Sequence, residues 1–315
     1  MNRARALDWL MLAALVATWG SAFAALKTAV GVWPPVWVVT GRLWVGALTL
    51  ALVMALWRQR PPALWPRPHP SWWWYAGVGV IGTAAPFLMF AFASTRLPSA
   101  VVAIVSGATP VFTALLAHLF VRAEPLNRFK AAGVALGFAG IVTLVGPGAL
   151  ASLAPGSGTA AAAITFALGA ALVGAVGYGV GAVMTRSAPK VAATTGAFMF
   201  CLCGAVAVLP LALLGEGLPA WPGWKVAAAV LFLGVGPTGL ASAGWVWLVQ
   251  RRGALFGSMA TYLSPVWATL LGVVVLGERP GWPAYAALGM ILAGVAVASR
   301  TPRAPEPPAT DSPEP

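Results

Sequence analysis

Two cations stand in a stretch where an apolar chain has little use for charge. In ATWGSAFAALKTAVGVWPPVWVVTGRLW, residues 17–44, Lys27 and Arg42 sit among alanines and tryptophans. Arginine offers five N–H donors and lysine three, so the chemistry available is the holding of oxygen. That oxygen could be the carboxylate of an anionic or zwitterionic solute, or backbone carbonyls freed by neighbouring helices, and the sequence leaves both open. Acids offer less. Asp8, Glu124 and Glu278 fall at the boundaries of apolar runs, Glu216 falls in a connection, and Glu306, Asp311 and Glu314 lie in the final segment. A carboxylate deep in an apolar run is the usual proton or sodium relay, and none is present. His118, near the end of one run, could serve as a proton relay but equally suits packing; His69 is in a loop. Cys201 and Cys203 are two residues apart, on nearly opposite faces of a helix, so neither a disulfide nor a metal pair is expected. With no acidic cluster, no HExxH, no phosphate loop and no serine triad pattern, a metal, a cofactor and catalysis are all unexpected. The residues point to binding, not to an enzyme.

The elements that must position them are helices in a membrane. The chain is 60% hydrophobic and 8% charged, with a mean hydropathy of +0.85, against about 25% charged in soluble domains. At about 20 apolar residues per span, ten spans are expected, near 7–29, 34–57, 72–94, 98–121, 128–147, 160–185, 191–214, 225–249, 254–276 and 282–299. The runs are too long and continuous for barrel strands, so the fold class is all-α integral membrane. With the N-terminus in the cytoplasm, fourteen of the 19 Lys and Arg fall in inside loops and tails. The net charge of +12 is then a topology signal with both termini cytoplasmic, and nucleic acid is not an expected partner. MNRAR followed by an apolar run and SAFA resembles a cleavable signal, but the run is longer than a signal core and cleavage is not expected.

The chain also resembles itself. A shift of 155 residues lays RLPSAVVAIVSGATPVFTALLA, from Arg96, over RRGALFGSMATYLSPVWATLLG, from Arg251, with Pro110 on Pro265. After a one-residue gap Glu124 meets Glu278; a shift of 159 pairs Trp19 with Tyr178 and Lys27 with Arg186. Five spans per copy is an odd number, so the second copy enters the membrane inverted. The expected organisation is a first five-helix repeat at 1–146, an external Pro/Gly/Ser-rich joint at 147–159, a second repeat at 160–300 and a disordered cytoplasmic tail at 301–315. Inverted repeats are a common construction of secondary transporters.

Prolines interrupt four spans, at Pro86, Pro110, Pro237 and Pro265. Each frees a carbonyl and bends its helix, which suits gates or cavity walls as well as plain packing. Glycines spaced for close helix contact occur at Gly133, Gly137, Gly140, Gly177, Gly181, Gly253 and Gly257. Aromatic residues too deep for the interfacial belts, among them Trp19, Phe23, Phe87, Tyr178, Trp245, Trp247 and Tyr262, fall on the same spans as Ser21, Thr83, Ser106, Thr238, Ser242 and Thr261. Together with Lys27 and Arg42 these are candidates for a solute pathway: an apolar pocket with few polar groups.

WGSAF at residues 19–23, Lys27, WPP at 33–35 and Arg42, with LGERPGWPAYAALGMILAGVAV from Leu276, resemble the EamA family of the drug/metabolite transporter superfamily. RAEPLNRFK at 122–130 departs from that pattern, replacing the glycine–glutamate pair that stands as Gly277 and Glu278. The resemblance implies a bacterial inner-membrane exporter of amino acids or related solutes, working by alternating access. The partners implied are a small-molecule solute and membrane lipids, for a monomer or a homodimer. A passive channel or a membrane scaffold is the alternative.

Overall fold

The computed structural model describes residues 3–65, 67–120, 128–153, 158–252 and 254–298. Glu124, Gly253 and the tail 301–315 lie outside the described residues, and the side chains of Arg186 and Gly257 are likewise not described. The regular structure among the described residues is all helical, without strands. In order the helices are α1 (Arg3–Val30), α2 (Pro35–Leu56), α3 (Ser71–Gly79), α4 (Ala85–Arg96), α5 (Ser99–Ser106), α6 (Thr109–Phe120), α7 (Arg128–Leu153), α8 (Gly158–Ser187), α9 (Ala193–Glu216), α10 (Trp224–Leu233), α11 (Ala241–Arg252), α12 (Ala254–Val274) and α13 (Trp282–Ala298). Two π-helical turns, Val80–Ala84 and Gly234–Leu240, join α3 to α4 and α10 to α11 without a break in the rod. Seven rods among the described residues are long and apolar enough to cross a membrane, and shorter apolar helices accompany them. Large side chains such as Leu48, Leu52, Phe166, Leu214 and Val274 are exposed on the outside, as on a surface that meets lipid rather than water. The protein is an integral membrane protein.

Local sequence explains the ends. Pro35 opens α2 at the first turn, where its missing N–H costs nothing. Glycines stop two others: α9 ends at Gly217 with φ 66°, and Gly277 takes φ 65° after α12, a conformation a side chain resists. Helix α7 runs on to Leu153, through half of the stretch 147–159 that its Pro and Gly content marks as a joint. The reason is ALASL at 149–153, a run of good helix formers.

Packing sets the architecture. Helix α2 lies against α9, α7 against α13, and α1 against α12, while α5 and α6 lie against α8. Helix α8 also crosses α4, and α1 crosses α10 and α11. Gly133 and Gly140 let α7 and α13 touch, since a Cβ on either would meet α13 backbone or side chains. The largest buried cluster joins these layers, from Leu26, Val39 and Leu43 through Phe90 and Ile104 to Leu168, Val230 and Ile291.

Candidate solute-binding site

A cavity of about 390 Å³ opens at the centre of the bundle. Its wall comes from α1 (Trp19, Phe23, Leu26), α2 (Arg42), the first π turn and α4 (Gly82, Thr83, Phe87, Phe90), α5 (Ala103, Ser106), α8 (Tyr178, Thr185), α9 (Phe200), the second π turn (Pro237, Thr238) and α12 (Thr261, Ser264, Pro265). Aromatic and aliphatic carbon dominates, with hydroxyls scattered through it. Arg42 is the one charged residue in the wall among the described residues.

The two π turns bring polar groups to the wall by the same device. In the second, Pro237 has no N–H to give the carbonyl of Leu233, and the Thr238 hydroxyl donates to it at 2.8 Å. In the first, the Thr83 hydroxyl donates to Val78 O at 3.2 Å. Arg42 then donates from Nε to Thr238 Oγ1 at 2.9 Å. Its guanidinium carbon lies 3.7 Å from the centre of the Phe87 ring, a cation–π contact. Across the cavity Tyr178 meets Phe87 edge to face and Phe90 at a tilt. Trp19 Nε1 donates to Pro237 O at 3.0 Å, tying α1 to the second π turn.

Lys27 does something else. Its Nζ donates to Ser94 O at 2.7 Å and to Leu97 O at 2.9 Å. Pro98 explains the first, because it lacks the N–H that would otherwise serve Ser94 O four residues back. The ammonium thus closes the C-terminal end of α4 and lies outside the cavity wall. Immediately beyond, Glu278 accepts the N–H of Ser99 at 2.6 Å, the Ser99 hydroxyl at 3.0 Å and the N–H of Ala100 at 3.1 Å. A carboxylate from the α12–α13 connection therefore caps the N-terminus of α5. Gly272 leaves the room for it. Leu26, Leu97, Ser99 and Ala100 are buried here, so this end is packed shut. At the other end the cavity adjoins a second one of about 640 Å³, sharing Trp19, Thr185, Phe200, Ser242 and Thr261 and reaching exposed Lys190 in the α8–α9 connection. There Asp8, buried in α1, pairs with Arg251 at 3.0 Å.

Of the residues singled out from sequence, Trp19, Phe23, Arg42, Thr83, Phe87, Ser106, Tyr178, Thr238, Ser242 and Thr261 come together in the central wall, with Pro237 and Pro265. Trp245 lines the adjoining cavity. Ser21 accepts the indole N–H of Trp267 at 3.1 Å, in the α1–α12 contact. Tyr262 lies on α12 outside both walls, and Pro86 packs against Gly177 of α8. Pro110 stands in the first turn of α6, where the Thr109 hydroxyl takes the Ser106 carbonyl that the proline leaves free. Sequence reasoning passed over Phe90, Phe200 and Ser264 in the wall; Phe200 and Phe90 carry no local signal that separates them from core aromatics.

A helical membrane bundle with an apolar central cavity walled by many of its helices fits a class, the multi-pass solute transporters. The profile of the EamA-like transporter family matches residues 7–146 and again 164–300. The chain belongs to that family, within the drug/metabolite transporter superfamily, and is a multi-pass inner-membrane transporter. It is 28% identical over 287 residues to the uncharacterized inner membrane transporter YedA of Escherichia coli (strain K12), covering 90% of this chain and 88% of that one. It is 31% identical to the aromatic amino acid exporter YddG of Ancylobacter novellus over 74% of this chain and 77% of that one. The probable terminal-alkyne amino-acid exporter of Streptantibioticus cattleyicolor is 27% identical over 90% of this chain and 91% of its own length. A solved crystal structure superposes with a TM-score of 0.63 at 24% identity, covering 92% of this chain and 97% of that one, and so shares the fold.

Proposed function

We propose that the protein is a secondary exporter of small organic metabolites, amino acids or related solutes, working by alternating access between two inverted five-helix repeats of ten spans in all. The observation that carries this reading is the central cavity, walled by helices from both halves, packed shut at the Lys27–Glu278 end and continuous with an opening at the Lys190 end. Repetition is supported by the family profile matching twice and by two π turns whose threonines, 155 residues apart, make the same bond to the carbonyl five residues back. Mutual packing of α2 with α9 and of α7 with α13 is what a pseudo-two-fold axis in the membrane plane requires. If both termini are cytoplasmic, as the basic residues argue, the opening faces the cytoplasm and the arrangement is loaded from inside. Two relatives named as exporters of amino acids fit that direction.

Counterflow in proteoliposomes tests the reading. Vesicles preloaded with unlabelled L-phenylalanine should accumulate the labelled amino acid transiently and saturably. Linear, unstimulated flux would mark a passive channel, and no flux a scaffold.

A further inference from the structure

The two cations of the first helices differ in what they leave undone. Lys27 spends its ammonium on two carbonyls. Arg42, half-buried in α2, makes one hydrogen bond, from Nε, and lays one face on Phe87. Its terminal nitrogens have no acceptor among the described residues and keep surface open to the cavity. No acid stands in that wall among the described residues. The described acids are committed or remote: Asp8 to Arg251, Glu278 to the start of α5, and Glu216 in a lateral groove between α2, α4 and α8. A guanidinium in a low-dielectric cavity is strongly stabilised by an anion, and the described residues supply none there.

We propose that Arg42 is the carboxylate anchor of the solute site, receiving a monoanionic carboxylate on its terminal N–H groups while Trp19, Phe23, Phe90 and Tyr178 enclose an apolar or aromatic body. Planar fork geometry suits a carboxylate, which accepts two parallel bonds. Thr238 is a positioning residue: by holding Nε it fixes the plane in which the other nitrogens point, and Phe87 closes one face. The wall therefore selects acids and zwitterions over amines, because a second cation would meet Arg42 with no acid to offset it. This inference rests on the transporter reading, and deepens it by naming the solute class.

The test compares three probes on purified protein: L-phenylalanine, its amide and 3-phenylpropionate, with binding by calorimetry and exchange in proteoliposomes. The wild type is expected to bind the two carboxylates at least about tenfold more tightly than the amide, a hydrogen-bonded charge pair being worth that much or more. Arg42→Gln should erase the preference by weakening both carboxylates at least about tenfold, while the amide binds as tightly as to the wild type or more so, which also shows that the site is intact. Thr238→Val, a milder change that keeps the charge, should reduce the preference without abolishing it. Equal binding of acid and amide by the wild type, no binding of either carboxylate, or an unchanged preference in Arg42→Gln overturns the proposal. The transport reading fails separately: binding with no exchange of any probe sinks it, even where Arg42→Gln loses the carboxylates selectively.

Discussion

The two π turns use one backbone device to opposite ends. Each carries a threonine whose hydroxyl closes onto the carbonyl five residues earlier, Thr83 onto Val78 and Thr238 onto Leu233. Around the second, polar partners gather: Arg42 on the Thr238 hydroxyl and the Trp19 indole on the Pro237 carbonyl. Around the first, the contacts are steric. Gly82 stands where the second turn has Pro237, and it meets Gly181 of α8 so closely that a Cβ would lie 2.5 Å from the Gly181 Cα. The neighbouring helices arrive alike, for the Phe200 carbonyl crowds Gly79 as the Arg42 carbonyl crowds Gly234. Their side chains do not, one being phenylalanine and the other arginine. Two turns alike in backbone thus carry unlike side chains, and among the described residues charge stands on one side of the cavity only.

The harshest way to break this comparison is to fill the steric contact. Gly82→Val should force α8 away from the first π turn, backbone against backbone, and cost more than the about 1–3 kcal/mol typical of overpacking. Monodisperse yield and thermal unfolding in detergent would read it, and a near-normal protein would show that the contact is soft. Next come the threonines. Thr238→Val removes a bond to a charged group, worth about 1.5–3 kcal/mol, whereas Thr83→Val removes only a neutral one, worth about 0.5–1.5 kcal/mol. Equal losses of thermal stability would mean that the two turns are used alike. The smallest effect sharpens the contrast between Trp19 and Tyr178. Trp19→Phe loses the bond to Pro237 O and should cost about 1 kcal/mol. Tyr178→Phe keeps its ring contacts with Phe87 and Phe90 and should change melting by less than Trp19→Phe does.

Much of the candidate site is readable along the chain. Deep aromatics, hydroxyls and prolines on apolar runs select a set from which nine residues and two prolines gather in one wall, because a side chain too deep for the interface and too polar for lipid has few other places to go. The fates of Lys27 and Arg42 are not readable. Both are single cations on apolar helices, and only the arrival of Pro98 beside Lys27, and of Thr238 and Phe87 beside Arg42, separates a helix cap from a cavity wall. Glu278 is similar: its position after Gly277 marks a helix boundary, but its grip on Ser99, 179 residues away, needs the folded chain.

By itself, then, the sequence determined a helical membrane protein, for an apolar chain in lipid must satisfy its backbone within each segment, and composition and run length are properties of segments. Tertiary structure decided which carbonyls, hydroxyls and rings surround each polar group. Those neighbours come from helices distant in the chain, and a cation's partner is fixed by what packs beside it and not by what precedes it.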